Sequence, residues 1–138
     1  MFLNNSFGKT VDIMHRTMDV SMLRQQVIAD NIANADTPNF KRSTVNFEAE
    51  LERALESEKS NKPKAYLTDP RHIPFDRQQN YRDVRPRKVL DYLSTADNNG
   101  NNVDIEQESM NLLQNQLRYR LLSKAVSEEF GRVNIVLR

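Results

Sequence analysis

All five prolines of the chain fall between Pro38 and Pro86. Proline removes a backbone donor and clashes with the preceding turn, so it is the strongest breaker of an α-helix. Both ends of the chain are therefore free to form long helices, and the middle is not. Glycine occurs only as Gly8, Gly100 and Gly131. Tight turns are left to asparagine, aspartate and proline, a composition that favours helix and gives sheet little support. The expected fold class is all-α: a single elongated domain over residues 1–138, with two long terminal helices packed as a coiled-coil-like pair. Between them a short amphipathic helix and an extended proline-containing loop are expected. The boundaries are an N-terminal helix over 1–36, a middle segment over 37–103 with a helix at about 44–59 and a loop over 61–102, and a C-terminal helix over 104–138.

Apolar periodicity supports both terminal helices. Phe7, Val11, Met14, Met18, Ile28 and Ile32 keep spacings compatible with one helical face, giving a rod of roughly 45 Å at about 1.5 Å per residue. After the turn cluster Asp97–Asn102, Asp104 stands where it can cap a helix while Gln107 returns the bond, as in a capping box. Met110, Leu113, Leu117 and Leu121 then line one face of a second rod of about 50 Å. Each rod carries another apolar face. Ile13, Val20, Leu23 and Val27 lie away from Met14, and Leu112, Leu122, Val126, Phe130 and Leu137 lie away from Met110 and Leu117. One partner helix cannot cover both faces of a rod. The inner contacts are assigned to Phe7, Val11, Met14, Met18, Met110, Leu113 and Leu117. Val20, Val27, Leu122, Val126 and Phe130 are read as contacts to other subunits, because stripes of this size are seldom left in solvent. The competing reading is that the middle segment folds back over them.

The middle segment has two characters. From Thr44 to Lys59 the residues Phe47, Leu51, Ala54 and Leu55 share a side, with Glu48, Glu50, Glu52, Glu56 and Glu58 elsewhere. From Asn61 to Leu93 four prolines interrupt any period, and Arg71, Arg77, Arg82, Arg85, Arg87 and Lys88 outnumber Asp76 and Asp83. This basic stretch, interleaved with Phe75 and Tyr81, reads as a solvated loop, as a partner for the acidic helix, or as a nucleic-acid surface. Lys and Arg total 20 against 19 Asp and Glu, so a net charge of +1 gives no general pull toward nucleic acid or anionic membrane. Neither is expected as a partner.

Several chemistries lose their footing here. There is no cysteine, hence no disulfide framework and no thiolate nucleophile. Three scattered glycines build no phosphate-cradling loop. His15 lies within the first helix and His72 in the loop, and neither belongs to a metal-ligand motif. No catalytic, metal or cofactor residue is nominated, and an enzyme is not expected. No apolar run approaches the roughly 20 residues that cross a bilayer, and Met1–Met14 lacks the basic and apolar regions of a cleaved signal.

The segment Ala29-Asp30-Asn31-Ile32-Ala33-Asn34-Ala35-Asp36-Thr37-Pro38-Asn39-Phe40-Lys41 closely resembles the N-terminal signature of flagellar basal-body rod, hook and related axial proteins. Physically it is a helix exit: Asn31 and Asn34 can bond free carbonyls or neighbouring helices, and Thr37-Pro38 turns the chain. The stretches Asn101–Glu108, Asn115–Tyr119 and Thr68–Pro74 are similar to the proximal-rod branch of that family. One departure is Asn39-Phe40, where the family commonly has Gly-Tyr; asparagine is the next residue best suited to a left-handed backbone.

The resemblance implies a structural subunit of the proximal rod, packed helically to carry torque from the MS ring toward the hook. It further implies export through the flagellar type III apparatus without a cleaved signal, and a place in the periplasm. Implied partners are other copies of the chain, other proximal and distal rod proteins, and the adaptor that joins rod to MS ring. No cofactor is implied. A soluble helical adaptor or coiled-coil module that never polymerises is the alternative.

Overall fold

The computed structural model describes residues 5–59, 66–69, 71–73, 78–94 and 101–137. The elements in chain order are α1 (Ser6–Ala33), β1 (Ser43–Asn46), α2 (Glu48–Lys59), a single 3-10 turn (Tyr81–Asp83), β2 (Arg87–Leu90) and α3 (Ile105–Val136). The protein is mostly helical, but it is not all-α: β1 and β2 form a two-stranded sheet. The helix expected from about Thr44 begins at Glu48, because Ser-Thr-Val-Asn places β-branched side chains where a helix would restrict their rotamers. In the loop expected over 61–102, Arg-Lys-Val-Leu supplies the second strand. The N-terminal helix stops at Ala33, short of the expected residue 36, and turns follow. Asp97–Gly100 of the turn cluster, Pro70, Pro74, Phe75, Asp76 and Arg77 lie outside the described residues.

The chain forms two compact units, Met1–Val45 with Lys88–Arg138, and Asn46–Arg87. In the second, Phe47, Leu51, Ala54 and Tyr81 are buried. The segment before the 3-10 turn is tied to α2 by polar bonds. Gln79 N–H donates to Ser57 Oγ at 3.0 Å, and Tyr81 N–H donates to Glu58 Oε1 at 3.3 Å. Ser57 and Glu58 of the acidic helix therefore both serve as internal acceptors.

In the first unit, α1 forms despite its hydroxyl residues because they bond within the helix. Thr10, Thr17 and Ser21 donate to the carbonyls of Ser6, Ile13 and Thr17 at 2.9, 2.8 and 2.9 Å. At α3, Asp104 caps the N-terminus as its sequence position suggests, accepting from the N–H groups of Glu106 and Gln107 at 2.9 and 3.2 Å. The reciprocal half of the capping box is replaced: the Gln107 side chain reaches forward to Asn111 Oδ1 at 3.2 Å.

Val20, Val27, Ile28, Val45 and Val103 make the apolar core of this unit. Three specific contacts join α1 to α3. The Phe7 and Phe130 rings meet edge to face at 5.9 Å, Asn115 Nδ2 donates to Ser21 O at 2.7 Å, and Asn31 Nδ2 donates to Glu108 Oε2 at 3.1 Å. Val20, Val27, Met110, Leu113 and Leu117 are thus placed opposite to the spacing-based expectation, whereas Phe7 meets α3 as expected. Val20 and Val27 are 2% and 3% exposed, whereas Met110, Leu113, Leu117 and Leu121 are 54%, 52%, 50% and 68% exposed. Spacing showed that two faces exist; the polar bonds of Glu108 and Asn115 turn their own side of α3 inward.

Substituting each face separates the two roles. Ile28→Ala is expected to lower unfolding free energy by about 2–5 kcal/mol. Leu117→Ala is expected to change it by less than about 0.5 kcal/mol. Urea unfolding of the isolated chain measures both, and equal losses would contradict this allocation.

Candidate functional site

The helix-exit motif is built around Asn31, only 1% exposed on the last full turn of α1. Its side-chain amide mimics a strand edge: Oδ1 accepts from Ser43 N–H at 3.0 Å while Nδ2 donates to Ser43 O at 2.8 Å. Both polar groups of a buried backbone position are thereby satisfied by one side chain. The same Nδ2 reaches Glu108 Oε2, and Glu108 Oε1 accepts from Arg42 Nε at 2.6 Å. Glu108 is 1% exposed, so its charge depends on these partners.

The remaining motif residues shape the exit. Asn34 Nδ2 donates back to Asp30 O at 2.8 Å, and Asn34 O accepts from Thr37 N–H at 3.0 Å. Phe40 N–H closes the next turn onto Thr37 O at 3.2 Å. Asn39 holds φ at 60°, the left-handed conformation for which asparagine is suited. Ile32 and Ala35 are part-buried, and Ala33, Thr37 and Pro38 are exposed.

Two further asparagines, unremarked by periodicity, clamp the segment from the far side. Asn101 Oδ1 accepts from Phe40 N–H at 3.1 Å, and its Nδ2 donates to Ala35 O at 2.6 Å. Asn102 Oδ1 accepts from Arg42 N–H at 2.6 Å, and its Nδ2 donates to Asp91 O at 2.7 Å and Ser94 Oγ at 3.1 Å. The approach to α3 is thus stitched to the exit from α1 mainly by side-chain amides. Spacing alone nominated none of Arg42, Ser43, Asn101, Asn102, Glu108 and Asn115. Glu108 and Asn115 interrupt the apolar face of Leu112 and Leu122, Arg42 and Ser43 follow the motif, and Asn101, Asn102, Glu108 and Asn115 fall in the stretches that resemble the proximal-rod branch.

Asp91 is held below its ordinary pKa of 3.8, first by the Ser94 hydroxyl donating at 2.7 Å, then by the Ser94 and Leu93 N–H groups. A lowered folded-state pKa means that its contribution to stability is present above the ordinary value and fades as pH falls through the folded value.

The apolar residues assigned to assembly divide by exposure. Met110, Leu113 and Leu117 face outward, with Phe130 exposed but in contact with Phe7. Phe7, Val11, Met14, Met18, Leu122 and Val126 are part-buried, and Val20 and Val27 are core. Lys88, from the basic stretch, lies 3.9 Å from Asp30. Among the described residues no group of His, Cys, Asp and Glu is placed to hold a metal ion. No described helix is long and apolar enough to cross a membrane.

Truncating the buried carboxylate tests the network. Glu108→Ala leaves Arg42 and Asn31 without their shared acceptor and is expected to cost about 3–5 kcal/mol in urea unfolding. Glu108→Gln, which keeps volume and one acceptor, is expected to cost less. A cost below about 1 kcal/mol for Glu108→Ala would show that the network is incidental. An NMR titration should place the Asp91 carboxyl below 3.8 and Ser94→Ala should raise it, because the hydroxyl is the first cause of the shift.

Comparison with known proteins bears on the same residues. A family profile described as Flagella basal body rod protein matches residues 22–41, the end of α1 and its exit. The chain is 48% identical over 134 residues to the flagellar basal body rod protein FlgB of Borreliella burgdorferi, covering 97% of this chain and 99% of that protein. It is 49% identical over 134 residues to FlgB of Borrelia hermsii, with the same coverage. With FlgB of Bacillus subtilis it shares 33% identity over 132 residues, 95% of each chain. The likeness spans both terminal helices and everything between, and on that basis the chain belongs to the FlgB family of flagellar basal body rod proteins.

Proposed function

We propose that this chain is a structural subunit of the proximal rod of the bacterial flagellar basal body, packing helically with other rod proteins and carrying torque from the MS ring toward the hook. The structural observation that supports it is the stripe Met110, Leu113, Leu117 and Leu121, about half or more exposed, on a protein whose relatives are named as rod proteins. Ile135, Val136 and Leu137 extend the exposed apolar surface at the end of α3. A chain with so much uncovered apolar area gains stability by meeting neighbours.

In this reading α1 and α3 run as a coiled-coil-like pair, supported by the Phe7–Phe130, Ser21–Asn115 and Asn31–Glu108 contacts. The whole chain acts as one assembly unit in the periplasm, exported by the flagellar type III apparatus without a cleaved signal. Its neighbours are other copies, the other proximal and distal rod proteins, and the adaptor at the MS ring. The role is mechanical and not enzymatic, because torque crosses interlocked side chains without covalent links. The nine buried apolar residues among those described are divided between the two units, which leaves each a thin core, so ordering of the helix ends is coupled to assembly.

Leu113→Glu with Leu117→Glu is expected to abolish swimming and rod assembly in cells lacking the native chain. Unfolding free energy of the isolated chain should shift by less than about 0.5 kcal/mol. Normal rods in this variant would reject the outward stripe as an assembly surface. In circular dichroism and ultracentrifugation, helicity should rise on mixing with rod and adaptor proteins. A fully helical monomer or dimer that ignores them would instead indicate a non-polymerising adaptor.

A further inference from the structure

β1 and β2 run antiparallel, and the bond that shows it lies just beyond them. Asp91, which follows β2, donates its N–H to the carbonyl of Arg42, which precedes β1, at 2.8 Å. In a regular ladder Arg42 N–H and Asp91 O would return that bond. The Asn102 amide stands between them instead, accepting from Arg42 N–H at 2.6 Å and donating to Asp91 O at 2.7 Å. With that end of the ladder fixed, the four residues of each strand set Asn46 opposite Arg87. Residues 47–86 therefore leave and rejoin the ribbon at one place, as an insertion in a β-hairpin.

The base of the ribbon is secured without help from the insertion. Ser43 has both backbone polar groups held by Asn31, and Arg42 Nε is held by Glu108. These partners belong to the unit of Met1–Val45 and Lys88–Arg138, whose apolar core is Val20, Val27, Ile28, Val45 and Val103. The unit Asn46–Arg87 has a core of its own, Phe47, Leu51, Ala54 and Tyr81 among the described residues, and its own polar ties from Gln79 and Tyr81 to α2. It is also small. A piece near the lower limit of about 40 residues seldom holds together firmly without disulfides, and the chain has no cysteine. So few buried apolar residues put it at the low end of local stability.

We infer that the Asn46–Arg87 unit opens and closes as a separate cooperative unit, and that the unit built on α1 and α3 stays folded while it does so. The hairpin permits this. Opening the insertion releases a loop whose two ends remain pinned by Asn31, Asn102 and Glu108, so neither long helix has to follow. The outward stripe of Met110, Leu113, Leu117 and Leu121 belongs to the unit that stays folded. The device is a property of the isolated chain and does not rest on the rod reading: it lets the middle of the chain rearrange without disturbing the α1–α3 register.

Native-state hydrogen exchange, followed by NMR on the full-length chain in low concentrations of urea, reads the two openings separately. Amides of α2 should share one opening, and those of residues 27–31 and 108–115 a second that needs more urea. Ala54→Asp puts a charge at a fully buried position and should speed exchange in α2 by about a hundredfold or more. Exchange at Ile28, Asn31 and Asn115 should change by less than about threefold, the scale expected of a distant, independent site. Tyr81→Ala, a gentler change to the same core, should repeat the pattern with a smaller effect on α2. A single opening shared by all three segments, or loss of protection in α1 and α3 with either variant, would overturn the inference, as would α2 protection that neither variant weakens.

Discussion

The Glu108 carboxylate decides how the first unit is put together. It reaches from the first turn of α3 to Asn31 near the end of α1 and to Arg42 just before β1, and it does so from a fully buried position. A buried charge without partners is strongly unfavourable, so these three segments must converge for any one of them to settle. Asn31 then carries the same constraint into β1 by pairing both polar groups of Ser43. Asn101 and Asn102 carry it to the helix exit and to Asp91 beyond β2.

This explains why part of the fold was legible in the sequence and part was not. The long helices were legible because the prolines are confined to the middle and the apolar residues recur at helical spacing. The left-handed turn at Asn39 was legible because few residue types tolerate that backbone. The sheet was not. Ser43–Asn46 and Arg87–Leu90 are four-residue strands, one wholly exposed, too short to show an alternation distinct from a loop. Which face of each helix turns inward was also hidden. A stripe rich in leucine and methionine reads as the inner one, and only tertiary partners reveal that the seam holding Glu108 and Asn115 is inside.

Asn115 shows how that polar seam is made: its Nδ2 donates to Ser21 O, which fixes the orientation of the amide. Such a bond contributes about 0.5–1.5 kcal/mol net, no more than well-packed apolar residues at the same seam would. What they would not have supplied is register. Two apolar helix faces slide past each other by a turn, about 5.4 Å, with little loss of burial. The Asn31–Ser43, Asn31–Glu108 and Asn115–Ser21 bonds are formed together in one alignment and lost in any other.

Register inside the subunit matters because the outward faces inherit it. Leu113 and Leu117 are positioned by the helix that also bears Glu108 and Asn115, and Met18 and Met22 by the helix that also bears Ser21 and Asn31. A slip of one turn between α1 and α3 would leave each stripe intact and still displace one against the other along the subunit. Every neighbour added would repeat the displacement, so a small internal error would accumulate along an assembly. A polar seam that tolerates one alignment is the arrangement that keeps two apolar stripes in fixed relation.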